Sequence, residues 1–291
     1  MYNKKPVMPN LSSHFHLAGA VNRIGYGAHA ACRSGGLGTS TRSWWRSSSL
    51  REAIALGINH IDTSDFYGPH TVNQLIREAL HRYPENLIIV TKVGARRTHD
   101  RAWLPALSPE EITSAIHANL RNLGLESLDV VNRRVGTAMS GPREESLAES
   151  FGVLAGLRQQ GLIRHLGLTN ITSGQLQEAQ LIAPVVGVQN HYNVAHRGAD
   201  DLVDTCAAQD IAFVPYFPLG GFSPIQSAVL ESWATRLGAT PMQIALAWLL
   251  QSSPYILLIP GTSSMQHFRE NVAAASLDLP PEAVAGLDKV G

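Results

Sequence analysis

Cysteine is nearly absent from this 291-residue chain. The two present, Cys32 and Cys206, lie far apart with neither a CxxC pair nor a metal-ligand spacing, which excludes a disulfide framework and a zinc site. Charge is scarce as well, at 16% of residues, and Lys plus Arg balance Asp plus Glu at 23 each. That balance leaves no overall electrostatic footprint for nucleic acid or an anionic membrane, so any anion must be bound locally. No apolar run approaches the roughly 18 residues of a membrane span, and the opening MYNKKPVMPNLSSHFHLAG lacks the apolar core of a signal peptide. The expectation is a soluble cytoplasmic protein without nucleic-acid or membrane partners. No heptad or exposed amphipathic seam points to an obligate protein partner.

What is present is a core. Apolar residues make up 44% of the chain, enough for a large buried interior at the upper end of single-domain size. Short β-rich runs recur at 23–27 (RIGYG), 58–62 (INHID), 87–93, 128–132, 163–168, 185–189, 211–216 and 256–260. Amphipathic stretches separate them, such as residues 108–124, opened by a capping box of Ser108 and Glu111 and closed by Gly124. Eight strands alternating with helices over this length predict an α/β fold of the (β/α)8 TIM-barrel type, one domain spanning 1–291. A doubly wound dinucleotide fold would need a glycine-rich loop directly after its first strand. GGLG at 35–38 lacks both the GxGxxG spacing and the preceding strand.

A barrel of this kind carries its chemistry at the carboxyl ends of its strands. Those ends supply Asp62, Lys92, Asn132, Arg134, Thr169, Asn170, Gln189, Asn190 and Tyr216, a far more polar set than strand ends require. In HIDTSDFYGPH, residues 60–70, an acid at Asp62 precedes a phenol at Tyr67 by five positions. A free phenol titrates near pH 10 and donates its proton poorly unless a nearby cation stabilises the phenolate. Lys92, ending the neighbouring strand, is the candidate cation, and Asp62 is placed to hold it. Taken singly, each has an ordinary structural reading as a turn cap, an exposed ion pair or a loop anchor; the set of three argues for chemistry. The histidines do not form a metal site: His191 and His196 are five apart rather than four, and no carboxylate or cysteine completes a set. His60 shares the inward face with Asp62 and is expected behind it.

At these residues the chain resembles the aldo-keto reductases, from about residue 50 onward. The resemblance rests on DTSDFYG, TKVG, GLTN, VQNHYN, YFPLGG and IPGTSSMQHFREN in that order. It implies Asp62, Tyr67 and Lys92 as catalytic residues and NADPH as cofactor. Thr169, Asn170 and Gln189 would meet the nicotinamide end and Tyr216 would stack on its face, with Phe217 and Leu219 beside it. Gly261, Thr262, Ser263, His267, Glu270 and Asn271 would surround the other end of the cofactor. The Thr/Ser-rich start of that last segment also suits a phosphate on its own physical grounds. NHIDTSDFYGPH, TKVGARR, FPLGGFSPIQS and LGATPMQIALAWLLQ narrow the resemblance to the branch that reduces the aldehyde of pyridoxal to pyridoxine.

Two departures stand out. The strand LDVVNRRVG lacks the histidine of the wider family and has Arg134 in its place, counting from Asp129. A guanidinium cannot act as a general acid near neutral pH, but it can donate hydrogen bonds, so Arg134 or Asn132 is the candidate substrate-orienting donor. Strand alternation puts those two on one face and Arg133 on the other. Barrel subunits of potassium channels resemble the same family and lack that histidine too, which makes a cofactor-sensing subunit the reading from another class. A reductase of some other aldehyde or ketone is a third. The second departure is the stretch 29–49, HAACRSGGLGTSTRSWWRSSS, expected to be an atypical loop without helical or strand periodicity. It is either an aromatic, basic flap over cofactor phosphates or a frame-shifted stretch. A one-base shift of back-translated Cys32–Ser43 reads Ala-Gly-Pro-Gly-Val-Trp-Gly-Pro-Pro-Arg-Asp-Arg, which resembles the loop of that branch.

Overall fold

The computed structural model describes residues 14–29, 39–68, 70–98, 102–136, 141–221, 223–262 and 264–290. Its strands are β1 (His14–His16), β2 (Ala20–Asn22), β3 (Tyr26–Gly27), β4 (His60–Asp62), β5 (Ile88–Val93), β6 (Ala95–Arg97), β7 (Trp103–Pro105), β8 (Leu128–Arg134), β9 (Ile163–Thr169), β10 (Val185–Gln189) and β11 (Ala212–Phe213). The helices are α1 (Thr39–Ala55), α2 (Thr71–Leu80), α3 (Pro109–Leu123), α4 (Ala148–Gln159), α5 (Ser173–Gln180), α6 (Asp200–Ala208), α7 (Ala228–Leu237), α8 (Pro241–Ser252), α9 (Met265–Ala273) and α10 (Pro281–Leu287).

Strands β3, β4, β5, β8, β9, β10 and β11 form one parallel sheet in chain order. Two further parallel bridges, Phe213 to Ile256 and Ile24 to Leu258, join its two edges through the run at 256–258. That run is the eighth stave, and the fold is a (β/α)8 barrel. The hairpin β1–β2 inserts Leu17 and Val21 among Ile88, Val90, Val130, Val214 and Leu257, closing the interior at the amino ends of the staves.

Period-two alternation along each stave sorts side chains between the barrel interior and the helix-covered outside. On β5, Ile88 and Val90 face inward while Ile89 joins the outer core. On β8, Val130 faces inward and Val131 outward. Arg133 follows Val131 outward: its guanidinium donates to Ser150 Oγ at 3.0 Å and pairs with Glu145 at 2.8 Å. Inward parity therefore carries Asp62, Lys92, Asn132 and Arg134 to the carboxyl end of the interior.

Local signals hold where they are strong. Helix α3 has the expected capping box, Ser108 and Glu111 each satisfying the other's backbone N–H, and ends at Gly124 with φ 68°. The expectation for 29–49 is corrected in part. Residues 39–49 are the first three turns of α1 rather than loop. Residues 47–49 show little apolar spacing, yet α1 packs along α2 with Leu50 and Ala53 buried. Once the turn that holds Leu50 and Ala53 exists, each further residue adds a hydrogen bond without a new nucleation cost. Residues 30–38, with Cys32 and most of the frame-shift reading, and the side chains of Trp44 and Trp45 lie outside the described structure.

Candidate functional site

The paired charges come first, because burial makes them costly. Lys92 and Asp62 have side chains only 4% and 5% exposed, and Lys92 Nζ donates to Asp62 Oδ1 at 2.5 Å and to the Thr63 carbonyl at 3.0 Å. Gln189 Nε2 donates to the other carboxylate oxygen at 2.6 Å. Both carboxylate oxygens thus have buried donors, the condition under which an interior ion pair is tolerated. Burial works against the Lys92 ammonium, but Asp62 and Tyr67 outweigh it and hold its pKa above the ordinary lysine value.

Tyr67 comes from the turn after β4, and its ring centroid lies 5.3 Å from Lys92 Nζ. Burial pushes its phenol above the ordinary tyrosine range; Lys92 and Arg134 pull it down, and Asp62 pushes it up. The net direction is upward. The phenol is thus held protonated at neutral pH while two cations stand ready for the phenolate.

Arg134 ends β8 on the same side. Its guanidinium carbon is 5.0 Å from the Trp103 ring and 5.9 Å from that of Phe66, and its Nε donates to the Gly136 carbonyl at 3.2 Å. Asn132, the other orienting candidate, instead lines a small interior cavity of about 10 Å³ with His60, Asp62 and Gln189, and its Oδ1 is buried without a hydrogen-bond partner among the described residues. His60 lines the same interior cavity as Asp62. Burial drives its pKa down to about 4, against a smaller raising effect of the Asn22 backbone.

The next strand ends bring polar groups to the same mouth. Thr169 Oγ1 and Gln189 Oε1 are fully buried without a hydrogen-bond partner among the described residues. Asn170, at φ 63°, donates to the carbonyls of Val135 and Gly141 and accepts from the Tyr216 hydroxyl at 2.9 Å. The Tyr216 ring is parallel to that of His191, 12° between planes, and edge-on to Phe217. Buried acceptors beside a flat aromatic surface suit a planar carboxamide, so these residues fit a nicotinamide.

The distal candidates divide. Ser264 Oγ caps α9 at the His267 N–H, placing Gly261 and Thr262 just before the helix and Asn271 in its buried face. Glu270 accepts from Gln266, Arg269 pairs with Glu52 of α1 at 2.6 Å, and Ser263 lies outside the described residues. Leu219 packs at the edge of the core.

Four residues around Tyr67 escaped the sequence reading. His29 and Phe66 meet its ring edge-on at 4.9 and 5.5 Å, and Trp103 meets Phe66 at 5.1 Å. Arg97 sits 4.5 Å over Trp103. The available signal was Arg97 and Trp103 flanking a turn just after Lys92, which a hairpin, β6–β7, folds back toward the mouth. Among the described residues no His/Cys/Asp/Glu group could hold a metal ion, and no helix is long and apolar enough to cross a membrane.

Comparison with known proteins bears on this arrangement. The Aldo/keto reductase family model matches residues 23–224 and 225–291. A pyridoxine 4-dehydrogenase of Escherichia coli (strain K12) is 57% identical over 272 residues, 93% of this chain and 95% of the relative. An uncharacterised oxidoreductase of Schizosaccharomyces pombe is 36% identical over 93% of this chain and 87% of its own length. Among solved structures, a thermostable aldo-keto reductase in complex with epalrestat superposes with a TM-score of 0.80 at 28% identity, covering 96% of this chain and 98% of that one. An aldo-keto reductase from Klebsiella pneumoniae in complex with NADPH has the same fold, with a TM-score of 0.77 at 24% identity over 93% and 91% of the two chains.

Proposed function

The chain belongs to the aldo/keto reductase family and is an oxidoreductase, and from that premise we propose that it reduces pyridoxal to pyridoxine with NADPH, residues 1–291 acting as one barrel unit. The observation that carries the reading is the buried Lys92–Asp62 pair at 2.5 Å beside the Tyr67 phenol. The relative named pyridoxine 4-dehydrogenase, 57% identical, supports the choice of substrate.

When bound, the cofactor supplies a hydride to the carbonyl carbon. The chain's own groups do the rest. Thr169 Oγ1 and Gln189 Oε1 would hold the carboxamide, Asn170 would meet it once its present hydrogen bonds exchange, and the Tyr216 ring would support the nicotinamide, with Phe217 and Leu219 alongside. Gly261, Thr262, Ser263, His267, Glu270 and Asn271 would receive the distal half. Tyr67 gives its proton to the carbonyl oxygen as negative charge grows there. Lys92 then faces the phenolate, and Asp62 keeps the ammonium in place. Arg134 orients the substrate from the position where the family has a histidine, which leaves Tyr67 as the acid. Asn132, which lines the interior cavity, is the weaker candidate for that role.

The test is cofactor oxidation, followed by near-ultraviolet absorbance, with purified protein and pyridoxal beside a panel of aldehydes, ketones and sugars. Preferred turnover of pyridoxal is the expected result. Tight NADPH binding without turnover of any of them would overturn the reading in favour of a cofactor sensor.

A further inference from the structure

Four of the cations on or beside the barrel strands have matched anions. Lys92 has Asp62, Arg96 has Glu111, Arg133 has Glu145 and Arg164 has Asp129. Arg97 and Arg134 do not: among the described residues neither lies within ion-pair distance of a carboxylate. Arg134 is 8% exposed, and its one hydrogen bond to a described residue runs from Nε to the Gly136 carbonyl. Arg97 Nε is buried without a hydrogen-bond partner among the described residues. Both guanidinium groups sit on Trp103, at 4.5 and 5.0 Å, and Phe66 links that ring to Tyr67.

A guanidinium cannot relieve burial by losing its proton, and aromatic faces compensate it only in part. These two cations, neither with a carboxylate in ion-pair distance among the described residues, share the Trp103 ring on the Phe66 side of the candidate proton donor. A site built this way is incomplete until an anion enters. An aldehyde whose ring bears an acidic hydroxyl next to the carbonyl supplies one, because that hydroxyl ionises near neutral pH and its oxygen lies about a hydrogen bond's length from the carbonyl oxygen when the two share a side.

We propose that Arg134, with Arg97 behind it, is an anion-recognition subsite that selects aromatic aldehydes carrying an ionised hydroxyl adjacent to the carbonyl. This rests on the reading of the chain as a pyridoxal reductase. Tyr67 then takes the carbonyl oxygen and Arg134 the phenolate, so Arg134 sets specificity and need not touch the reacting oxygen. A charge-assisted hydrogen bond of this kind corresponds to about 10- to 100-fold in kcat/KM.

The experiment compares 3-hydroxypyridine-4-carbaldehyde with pyridine-4-carbaldehyde for the parent, Arg134→Met, Arg134→Lys and Arg97→Met. The parent should favour the hydroxylated aldehyde, Arg134→Met should collapse that ratio by at least about tenfold, and Arg134→Lys should restore part of it. Arg97→Met, at a half-buried position, should lower the ratio less. The parent's preference should also fade as the pH is lowered through the ionisation of the substrate hydroxyl. An equal loss on both aldehydes, or an unchanged ratio, overturns the proposal. A readout without turnover separates it from the function reading: pyridoxine and pyridine-4-methanol are titrated against parent and Arg134→Met by calorimetry. Tighter binding of pyridoxine that depends on Arg134 supports the subsite even if no aldehyde is reduced, and equal binding of the two alcohols to the parent overturns it even if pyridoxal is reduced.

Discussion

At the scale of single residues, the site is governed by what burial does to charge. Tyr67 is held protonated by burial, so Tyr67→Phe removes a loaded donor and little else. Turnover should fall about 10²–10⁴-fold, with NADPH affinity kept within roughly twofold of the parent, as read by cofactor fluorescence titration beside steady-state rates. A surviving rate would mean another group donates the proton. Lys92 and Asp62 lend themselves to a double-mutant cycle, since each is buried and the other is its main compensation. Lys92→Met strands a buried carboxylate and should cost about 3–5 kcal/mol in urea unfolding. Asp62→Asn combined with Lys92→Met should recover most of that loss, because the surviving amide carries no charge. If the double variant is as unstable as the two singles added together, the pair is not coupled and the ammonium is held by the Thr63 carbonyl instead.

Among the elements, legibility followed the strength of local chemistry. The cap, the proline and the terminal glycine of α3 were all present in the sequence, and the helix lies where they place it. Ser108→Ala should lower stability by about 1 kcal/mol and Ser108→Gly by only a few tenths, with kinetics unchanged because α3 lies on the outside of the barrel. A thermal or urea midpoint decides it; an unmoved midpoint would show that Glu110 and Glu111 hold the first turn without the hydroxyl. Helix α1 was not legible in its first half. Its run from Thr39 to Ser49 lacks apolar spacing, and the burial of Leu50 and Ala53 further on anchors it. The pair β6–β7 was missed for a related reason. Three-residue strands carry too little periodicity to be read, so the placement of Arg97 and Trp103 at the mouth emerges only once the chain folds back.

For the whole molecule, the count of eight apolar runs was enough to give the barrel, even though the eighth is joined by only two bridges. Parity along the strands was enough to bring Asp62, Lys92 and Arg134 together, because inward and outward positions are fixed once the sheet closes. What parity does not give is the cost of the interior. His60 shares that interior with Asp62, close against the backbone: a Cβ on Gly25 would lie 2.2 Å from His60 Nε2, so the ring has no room to turn toward water. Its folded pKa of about 4 lies below the ordinary 6.5, so the unfolded chain binds a proton over a range in which the folded chain does not. The associated stability is complete above pH 6.5, declines as the pH falls toward 4, and levels off below that. Between about pH 7 and pH 5 this one group should remove about 2 kcal/mol of folding stability. In His60→Asn that part of the decline should disappear, whatever the variant's stability at neutral pH. Urea midpoints across the range, for parent and variant side by side, make the comparison. Parallel curves would show that His60 takes up its proton in the folded barrel over the same pH range as in the unfolded chain, and that below that range Asp62 answers two cations instead of one.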